Sequence, residues 1–375
     1  MALALGTSQA PSPKPQAPWK QATAGYKFAF PRDHASHPDY KIEWWYYTGN
    51  VKTGEGRRFG YQVTFFRVGL DHTPTNPSRW AIRDLHMTHL AVSDASGQRY
   101  RFAEKLSRSG PGLAGADTHR YNVWNDDWTA TLSGSREPAS GIRRQHVLKA
   151  AGNNAAIDLV LDEGKPPAIN GINGISQKGA QPGNASHYYS MTRMPTRGSI
   201  SVDGERFEVE GESWMDHEFG TSFLEPEQRG WDWFAIQLSD GRELMLYQLR
   251  RGDNRGGGGS RDPRSSGTLV DRAGQTTHLA NADFTLTQGR AQFKSRNGAV
   301  YPIEWTVTIP SQRINLKVTT PLSDQELSLE RSTGIAYWEG MIDVSGTANG
   351  TAVNGYGYLE MTGYHGSLGR VLSGR

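Results

Sequence analysis

The chain has 375 residues, and its 41 Lys and Arg nearly balance 38 Asp and Glu, which leaves a net charge of +3 at pH 7. No block of like charge stands out, so nucleic acid is not an expected partner, and the absence of cysteine excludes a disulfide framework, a thiol nucleophile and a thiolate metal site. The 11 Trp, 15 Tyr and 12 Phe, together with 44 Gly, are typical of a chain that builds β-sheets.

The first residues predict a disordered lead-in over 1–24, because Met1–Lys20 holds four prolines and no apolar periodicity. No apolar run in the chain approaches the roughly 18 residues needed to cross a bilayer. Ala2–Leu5 is too short for the apolar core of a signal peptide, but a chain starting just after a cleaved signal would have this composition. We therefore expect a periplasmic or secreted protein.

Almost every later stretch predicts strand and turn, and no segment shows convincing helical periodicity. Asp203-Gly204 and Asp240-Gly241 each lie between alternating runs and predict tight hairpins. The runs are too many for one small barrel, so two sheet units are predicted, as residues 25–222 and 223–375, with the boundary in the loop 221–229. The main runs are Arg58–Arg67, Arg83–Ser93, Ala156–Asp162, Gly198–Val202, Arg206–Glu210, Trp231–Leu238, Glu243–Arg250, Ile303–Ile309, Ile314–Thr319 and Ile335–Val344.

The first aromatic-acidic string is Phe30-Pro-Arg-Asp-His-Ala-Ser-His-Pro, which leads into Ile42-Glu-Trp-Trp-Tyr-Tyr. On a strand, Glu43 and Trp45 share one face and the intervening residues share the other. We expect Asp33 and His37 to hold the loop by hydrogen bonds. For His34 and Glu43, the sequence leaves both a structural role and a ligand contact open.

Histidines recur at two further places. His86 and His89 form an H-x-x-H pair, but positions three apart on a strand face opposite ways, so this segment alone predicts no metal site. His187 and Tyr189 fall on one face where a strand begins after a Gly-rich loop. They either orient a proton or a water beside an acid, or simply form an amphipathic strand start.

The second string, Gly211-Glu-Ser-Trp-Met-Asp-His-Glu-Phe-Gly, places Trp214 and Asp216 on one strand face. A carboxyl beside an indole in a dry cavity would have a raised pKa and could donate a proton near neutral pH. Strict alternation, however, puts Asp216 on the same face as Glu208 and Glu212, which would be a solvated acidic face. A bulge at Gly211 would reverse the assignment, so both orientations stay open.

Taken together, these strings and Gly230-Trp-Asp-Trp-Phe resemble the carotenoid 1,2-hydratase (hydroxyneurosporene synthase) family, in particular its secreted, lipocalin-like bacterial branch. The resemblance covers nearly the whole chain from about Tyr26. It implies an all-β fold of two lipocalin-like antiparallel β-barrels packed side by side, with a ligand cavity at the first barrel and the interface. It also implies a proton donor at Asp216 next to Trp214, with His187 and Tyr189 as helpers, although the two ring types look exchanged relative to the hydratases.

The resulting hypothesis is a protein that encloses an apolar, unsaturated ligand, such as an isoprenoid, carotenoid or lipid, and hydrates an isolated double bond through a carbocation. No cofactor and no metal ligands are predicted, although a metal site assembled in space from Asp33, His34, His86, His89, Asp216, His217 and Glu218 stays open as an alternative. Two alternatives use the same cavity: a non-catalytic carrier of hydrophobic cargo that works with a membrane transporter of the cell envelope, and a polyene cyclase. An acid inside the cavity would favour an enzyme. Further ligand contacts are predicted at His34, Glu43, Trp45, His86, His217, Trp231 and Trp233.

Overall fold

The computed structural model describes residues 19–137, 141–222, 224–252, 259–329, 332 and 334–366. Antiparallel strands dominate this part of the chain, and its only helical elements are the 3-10 turns Arg32–His34 and Pro310–Gln312. None of its helices has the length and apolar character of a membrane span. The predicted all-β class is confirmed, whereas most of the predicted lead-in 1–24 lies outside the described residues.

Thirteen strands of the described chain form the first sheet, in the order β4-β3-β2-β1-β13-β12-β9-β8-β7-β6-β5, with β10 and β11 paired to β12. Strand β4 contacts β5, β6, β8 and β9, so the two ends of the sheet approach each other and nearly close a barrel. The strands are β1 Ile42–Lys52, β2 Arg58–Gly69, β3 Asp84–Asp94, β4 Arg99–Arg108, β5 Ala114–Ala116, β6 Asn122–Asn125, β7 Trp128–Glu137, β8 Gly141–Gly152, β9 Ala155–Asp162, β10 Ala168–Ile169, β11 Ile175–Gln177, β12 Ala185–Val202 and β13 Glu205–Ser222.

The second sheet follows the order β18-β17-β15-β14-β26-β25-β23-β22-β19, with β16 beside β15, β24 beside β25, and β20 and β21 as a separate pair. The chain enters this sheet between Ser222 and Gln228, and the predicted domain limits stay a prediction. The strands are β14 Gln228–Leu238, β15 Glu243–Arg251, β16 Ser260–Arg261, β17 Ser266–Val270, β18 Thr276–Leu279, β19 Thr285–Gln288, β20 Gln292–Lys294, β21 Val300–Pro302, β22 Trp305–Ile309, β23 Ile314–Thr319, β24 Glu326–Leu329, β25 Ile335–Ala348 and β26 Thr351–Met361.

Turn chemistry fixes the strand pairing at the two predicted hairpins. Asp203 and Gly204 both have positive φ, 53° and 86°, as a tight hairpin turn between β12 and β13 requires. Gly241 has φ 82° between the paired strands β14 and β15. Both hairpin predictions are confirmed.

Of the four apolar clusters in the described residues, the three largest organise the packing. The interior of the first barrel is filled by its own side chains, among them Trp45, Tyr61 and Tyr189. The second sheet encloses a separate core, and a third cluster, which includes Trp214 and Trp233, lies where the outer faces of the two sheets meet. Strands β1 and β13 are therefore buried on both faces over much of their length.

Candidate functional site

A cavity of about 370 Å³ lies between the two sheets and is called the interface cavity below. Its volume is in the lower part of the range for small-molecule sites, about 300–1,000 Å³. Strands β1, β2, β3, β12 and β13 of the first sheet form one wall, and β14, β15, β25 and β26 of the second sheet form the opposite wall. The apolar part of the lining includes Trp44, Phe66, Leu85, Met87, Trp231, Trp233 and Leu249.

Asp216 lines this cavity, and its carboxylate accepts three hydrogen bonds. The donors are the Tyr188 hydroxyl at 2.5 Å, the Ser190 hydroxyl at 2.6 Å and the Trp214 indole N–H at 2.7 Å. The register places them there, because Ser190 pairs directly with Asp216 and Tyr188 is two residues away on the same face of β12. Burial raises the pKa of Asp216 to about 6, although the three hydrogen bonds act in the opposite direction.

The burial of Asp216 has a cause other than a bulge. Gly211 pairs in continuous register with Val51 on β1 and Thr196 on β12, so the alternation of β13 is not reversed there. Asp216 does share a face with Glu208, which is exposed. The second sheet covers that face from Trp214 onward, and this tertiary contact turns an acidic outer face into a cavity wall.

A second carboxyl group, Glu360, lines the opposite wall of the cavity. It accepts a hydrogen bond from the Trp231 indole at 3.0 Å, and its residue pairs with Trp233 across β14 and β26. Glu360 is partly buried and contributes to the cavity lining. Desolvation raises the pKa of Glu360 to about 7, and the nearby charge of Asp216 adds to this effect.

A cationic group reaches the same cavity from the Gly-rich segment between β9 and β12. The ammonium of Lys178 contacts the carboxylate of Glu218, and it lies 5.6 Å from the ring centre of Tyr188 and 5.9 Å from that of Tyr247. Burial lowers the pKa of Lys178 to about 7, while the charge of Asp216 opposes this shift. The cavity therefore holds several groups that titrate within about a unit of neutrality.

His89 and Tyr46 are further polar side chains of the lining. His89 lies 2.9 Å from the Tyr337 hydroxyl, and burial lowers the pKa of His89 to about 3. The Tyr46 hydroxyl donates to Glu339 at 2.6 Å. Burial raises the pKa of Glu339 well above its ordinary value.

The sequence-predicted site residues lie in two places: at the interface cavity, and on the opposite side of the first sheet. Asp216, Trp231 and Trp233 line the interface cavity, and Trp214 contacts Asp216. The others lie on the barrel side or under the loop that precedes β1, because neighbouring strand residues point to opposite faces. This second group consists of His34, Glu43, Trp45, His86, His187, Tyr189 and His217.

His187 and Tyr189, the predicted helpers, are therefore not brought to Asp216. The His187 ring lies 4.4 Å from the ring of Tyr26, and burial lowers its pKa to about 4. The Tyr189 hydroxyl lies 2.7 Å from Nδ1 of His34 inside the barrel. Between them, Tyr188 faces the other way and takes the place next to the acid.

Glu43 anchors a hydrogen-bonded network inside the first barrel. It accepts hydrogen bonds from Ser36 at 2.8 Å, His217 at 2.9 Å and Arg67 at 3.1 Å. Burial alone would raise the pKa of Glu43, but His217, His37 and Arg67 hold it well below its usual range. This arrangement holds an ionised carboxylate and gives Glu43 a structural position.

The preceding loop is held as expected. The carboxylate of Asp33 accepts hydrogen bonds from the Ala29 N–H at 2.6 Å and the Tyr26 hydroxyl at 3.0 Å. His37 lies 2.9 Å from the Glu43 carboxylate. The prediction that Asp33 and His37 hold the loop by hydrogen bonds is confirmed.

Comparison with known proteins identifies the family to which this architecture belongs. Residues 21–364 match the AttH-like family. The chain belongs to that family. The crystal structure of a candidate AttH protein from Nitrosomonas europaea is similar, with 32% identity, a TM-score of 0.79 and coverage of 92% of this chain and 99% of that one. This agrees with the predicted lipocalin-like, hydratase-type family.

Two further proteins that are similar to this chain are named as enzymes. Kievitone hydratase from Nectria haematococca shares the fold, with a TM-score of 0.65, 18% identity and coverage of 85% of this chain and 88% of that one. Dehydratase asqC of Emericella nidulans is 24% identical over 212 residues, which are 56% of this chain and 58% of that protein. The chain thus spans little more than half the length of this curated relative.

Sequence reasoning did not predict Tyr188, Lys178 and Glu360, which line the interface cavity, or Ser190, which contacts Asp216. Tyr188 and Ser190 lie next to Asp216 because of the register of β12 with β13, which composition does not indicate. Lys178 and Glu360 had no sequence signal either, since one lies in a loop and the other in the second sheet.

Proposed function

We propose that the interface cavity binds an apolar, unsaturated ligand. The protein adds water across an isolated carbon–carbon double bond of that ligand, or removes water to form such a double bond. Asp216 and Glu360 would supply the acid and the base. The observation that carries the proposal is the pair of carboxyl groups on facing walls of an apolar cavity, both with pKa values near neutrality. The names of the hydratase and dehydratase relatives support the same reaction class.

The two pKa values allow one carboxyl to be protonated while the other is ionised. At pH 7, about a tenth of Asp216 and about half of Glu360 carry a proton, as follows from values of about 6 and about 7. In hydration, the protonated group donates to the alkene carbon and the ionised group takes a proton from the attacking water. Dehydration runs through the same groups in reverse, and general acid–base catalysis of this kind contributes about 10²–10⁴-fold.

The aromatic lining suits the cationic intermediate of this reaction. The indoles of Trp44, Trp231 and Trp233 line the cavity, and each ring face can stabilise a nearby cation by about 0.5–2 kcal/mol. An apolar lining also keeps the acid protonated by limiting its solvation. The cavity volume of about 370 Å³ suits a small ligand or one end of a longer isoprenoid chain.

A carrier would need the apolar cavity but not the carboxyl pair, and for this reason hydration or dehydration is our leading proposal. Polyene cyclisation would use the same acid and the same rings.

A periplasmic or secreted location, and a transporter partner in the cell envelope, remain predictions. Finding a signal sequence encoded ahead of the chain would test the location.

The test is incubation of the protein with an isoprenoid alkene in H₂¹⁸O, followed by mass spectrometry of the product. We expect a product heavier by one labelled water, and a loss of about 10²-fold or more in Asp216→Asn and Glu360→Gln. Glu208→Gln, which removes an exposed acid from the same face of β13, is the matched control. Undiminished hydration in both cavity variants would remove the carboxyl pair from the mechanism. A tightly held intact lipid in native mass spectra, without any water addition, would favour the carrier.

A further inference from the structure

Three metal-ligating side chains converge inside the first barrel, on the side of the sheet away from Asp216. Nε2 of His34 lies 3.4 Å from Oε1 of Glu163, and Nε2 of His146 lies 3.6 Å from the same oxygen. The two imidazole rings stand nearly perpendicular, at 86°, with ring centres 5.3 Å apart. The three groups come from the loop before β1, from β8 and from the residue after β9, so no local sequence spacing announces them.

The three facing atoms are not hydrogen-bonded to one another. Both separations are longer than a normal N–H···O hydrogen bond of about 2.7–3.2 Å. Nε2 of His146 and Oε1 of Glu163 are buried without a hydrogen-bond partner in the described part of the chain. His146 is fully buried. Buried polar atoms of this kind are rare and indicate a missing partner.

Tyrosine hydroxyls hold the other nitrogen of each ring. The Tyr189 hydroxyl lies 2.7 Å from Nδ1 of His34, 3.0 Å from Nδ1 of His217 and 3.2 Å from the main-chain oxygen of Asp33. When its single proton points to His217 or to Asp33, its oxygen accepts a hydrogen bond from Nδ1 of His34. With the proton on Nδ1, the ring of His34 presents the lone pair of Nε2 to the carboxylate of Glu163. Nδ1 of His146 lies 2.8 Å from the Tyr47 hydroxyl, which orients that ring as well.

A second histidine and carboxylate group in the same barrel provides a contrast. His37 and His217 each lie 2.9 Å from Glu43, and the guanidinium of Arg67 contacts the same carboxylate at 3.1 Å. There the carboxylate is satisfied by N–H donors and by an adjacent cation. At Glu163, Oε2 contacts the guanidinium of Arg144 at 3.4 Å, whereas Oε1 faces two ring nitrogens and no such donor within the described residues.

We propose that His34, His146 and Glu163 form a binding site for a divalent transition-metal ion, with Zn²⁺ as the best fit. Two ligand atoms at about 2.0–2.1 Å from a tetrahedral zinc lie about 3.4 Å apart, close to the observed 3.4 and 3.6 Å. Hydrogen bonds from the outer nitrogens to fixed partners are typical of metal-bound histidines. The bound ion would connect the 3-10 turn Arg32–His34 to the barrel wall. Three protein ligands leave the fourth coordination position of a tetrahedral ion open. This site is independent of the proposed reaction at Asp216.

The test is metal binding by the full chain after treatment with a chelator. Isothermal titration with Zn²⁺ should give one site per chain, and Co²⁺ should give the visible absorption of a tetrahedral ion with nitrogen and oxygen ligands. His146→Gln and Glu163→Gln should each weaken Zn²⁺ binding about tenfold or more. Because Glu163 is partly exposed, Glu163→Gln keeps the test valid if His146→Gln fails to fold.

His278→Gln is the matched control, since it removes a histidine from β18 of the second sheet and leaves the loop that carries His34 intact. It should leave Zn²⁺ affinity within about twofold and retain the cobalt spectrum. Absence of stoichiometric binding in the wild type, unchanged affinity in Glu163→Gln, or a loss of binding in His278→Gln would each overturn the site assignment.

Discussion

Replacing Asp216 by Asn is expected to change how the stability of the protein depends on pH. In the folded chain, burial raises the pKa of this carboxyl from 3.8 to about 6. A raised carboxyl pKa means that the folded state prefers the protonated form. The stability that Asp216 contributes is therefore fully present below about pH 4 and is lost as the pH rises through about 6. The amide of Asp216→Asn does not titrate, so the variant escapes this loss.

The magnitude follows from the difference between the two pKa values. The shift from 3.8 to about 6 corresponds to about 3 kcal/mol at 1.36 kcal/mol per pH unit. Between pH 4 and pH 7, the free energy of unfolding of Asp216→Asn should rise by about 2–3 kcal/mol relative to the wild type. A constant offset is also expected, because an amide cannot accept all three hydrogen bonds that the carboxylate receives. Only the change with pH is diagnostic.

Urea unfolding followed by tryptophan fluorescence, at intervals from pH 4 to pH 7.5, measures this difference. Asp94→Asn is the control. Asp94 is also buried, yet hydrogen bonds from Arg57 and Arg99 hold its pKa below its usual value. The stability that Asp94 contributes is therefore fully present above about pH 4 and is lost only at lower pH, so Asp94→Asn should be less stable than the wild type by a nearly constant amount over the measured range. A flat difference for Asp216→Asn across the whole range would refute the claim that this carboxyl is desolvated.

Three other changes probe the cavity. Lys178→Met should move the titration of Asp216 above pH 6 in the pH–rate profile, because the ammonium lowers the pKa of that carboxyl. Tyr188→Phe removes a hydrogen bond to the carboxylate and should slow hydration about 10- to 100-fold. Tyr188→Phe should lose more hydration activity than Tyr189→Phe. A greater loss in Tyr189→Phe would favour the sequence-based prediction that Tyr189 assists Asp216. Leu85→Trp should fill cavity space and weaken binding of a polyene about tenfold or more in a tryptophan-quenching titration.

For β12 and β13, the sequence predicted the strand only where one of its faces meets solvent. Sequence alternation identified Gly198–Val202 and Arg206–Glu210, but each is only part of an 18-residue strand, β12 or β13. Beyond those stretches both faces are buried, one by the barrel interior and the other by the second sheet. The period-two contrast between polar and apolar residues then disappears. Turn residues were more reliable, since Asp203 needs a positive φ that few residues adopt.

The acid itself was predictable, but its neighbours were not. The motif around Asp216 pairs a carboxyl with an indole, and that combination points to a pocket wherever it is buried. Choosing between His187 and Tyr188 requires the phase of β12, which follows from its register with β13 and not from its own composition. Glu360 is supplied by the second sheet, so only the packing of the two sheets reveals it.

Strand β13 separates two different electrostatic environments, as its adjacent residues Asp216 and His217 show. On β13, Asp216 faces the interface cavity with its pKa raised, while His217 faces the barrel and its N–H bonds to Glu43, whose pKa is held low. Both carboxyl groups are buried, so burial alone does not decide the charge state. The difference lies in the partners: an arginine and histidines contact Glu43, whereas the hydrogen-bond donors of Asp216 are neutral hydroxyl and indole groups. Since the wall opposite Asp216 belongs to the second sheet, that sheet's packing raises the pKa of this carboxyl towards neutrality.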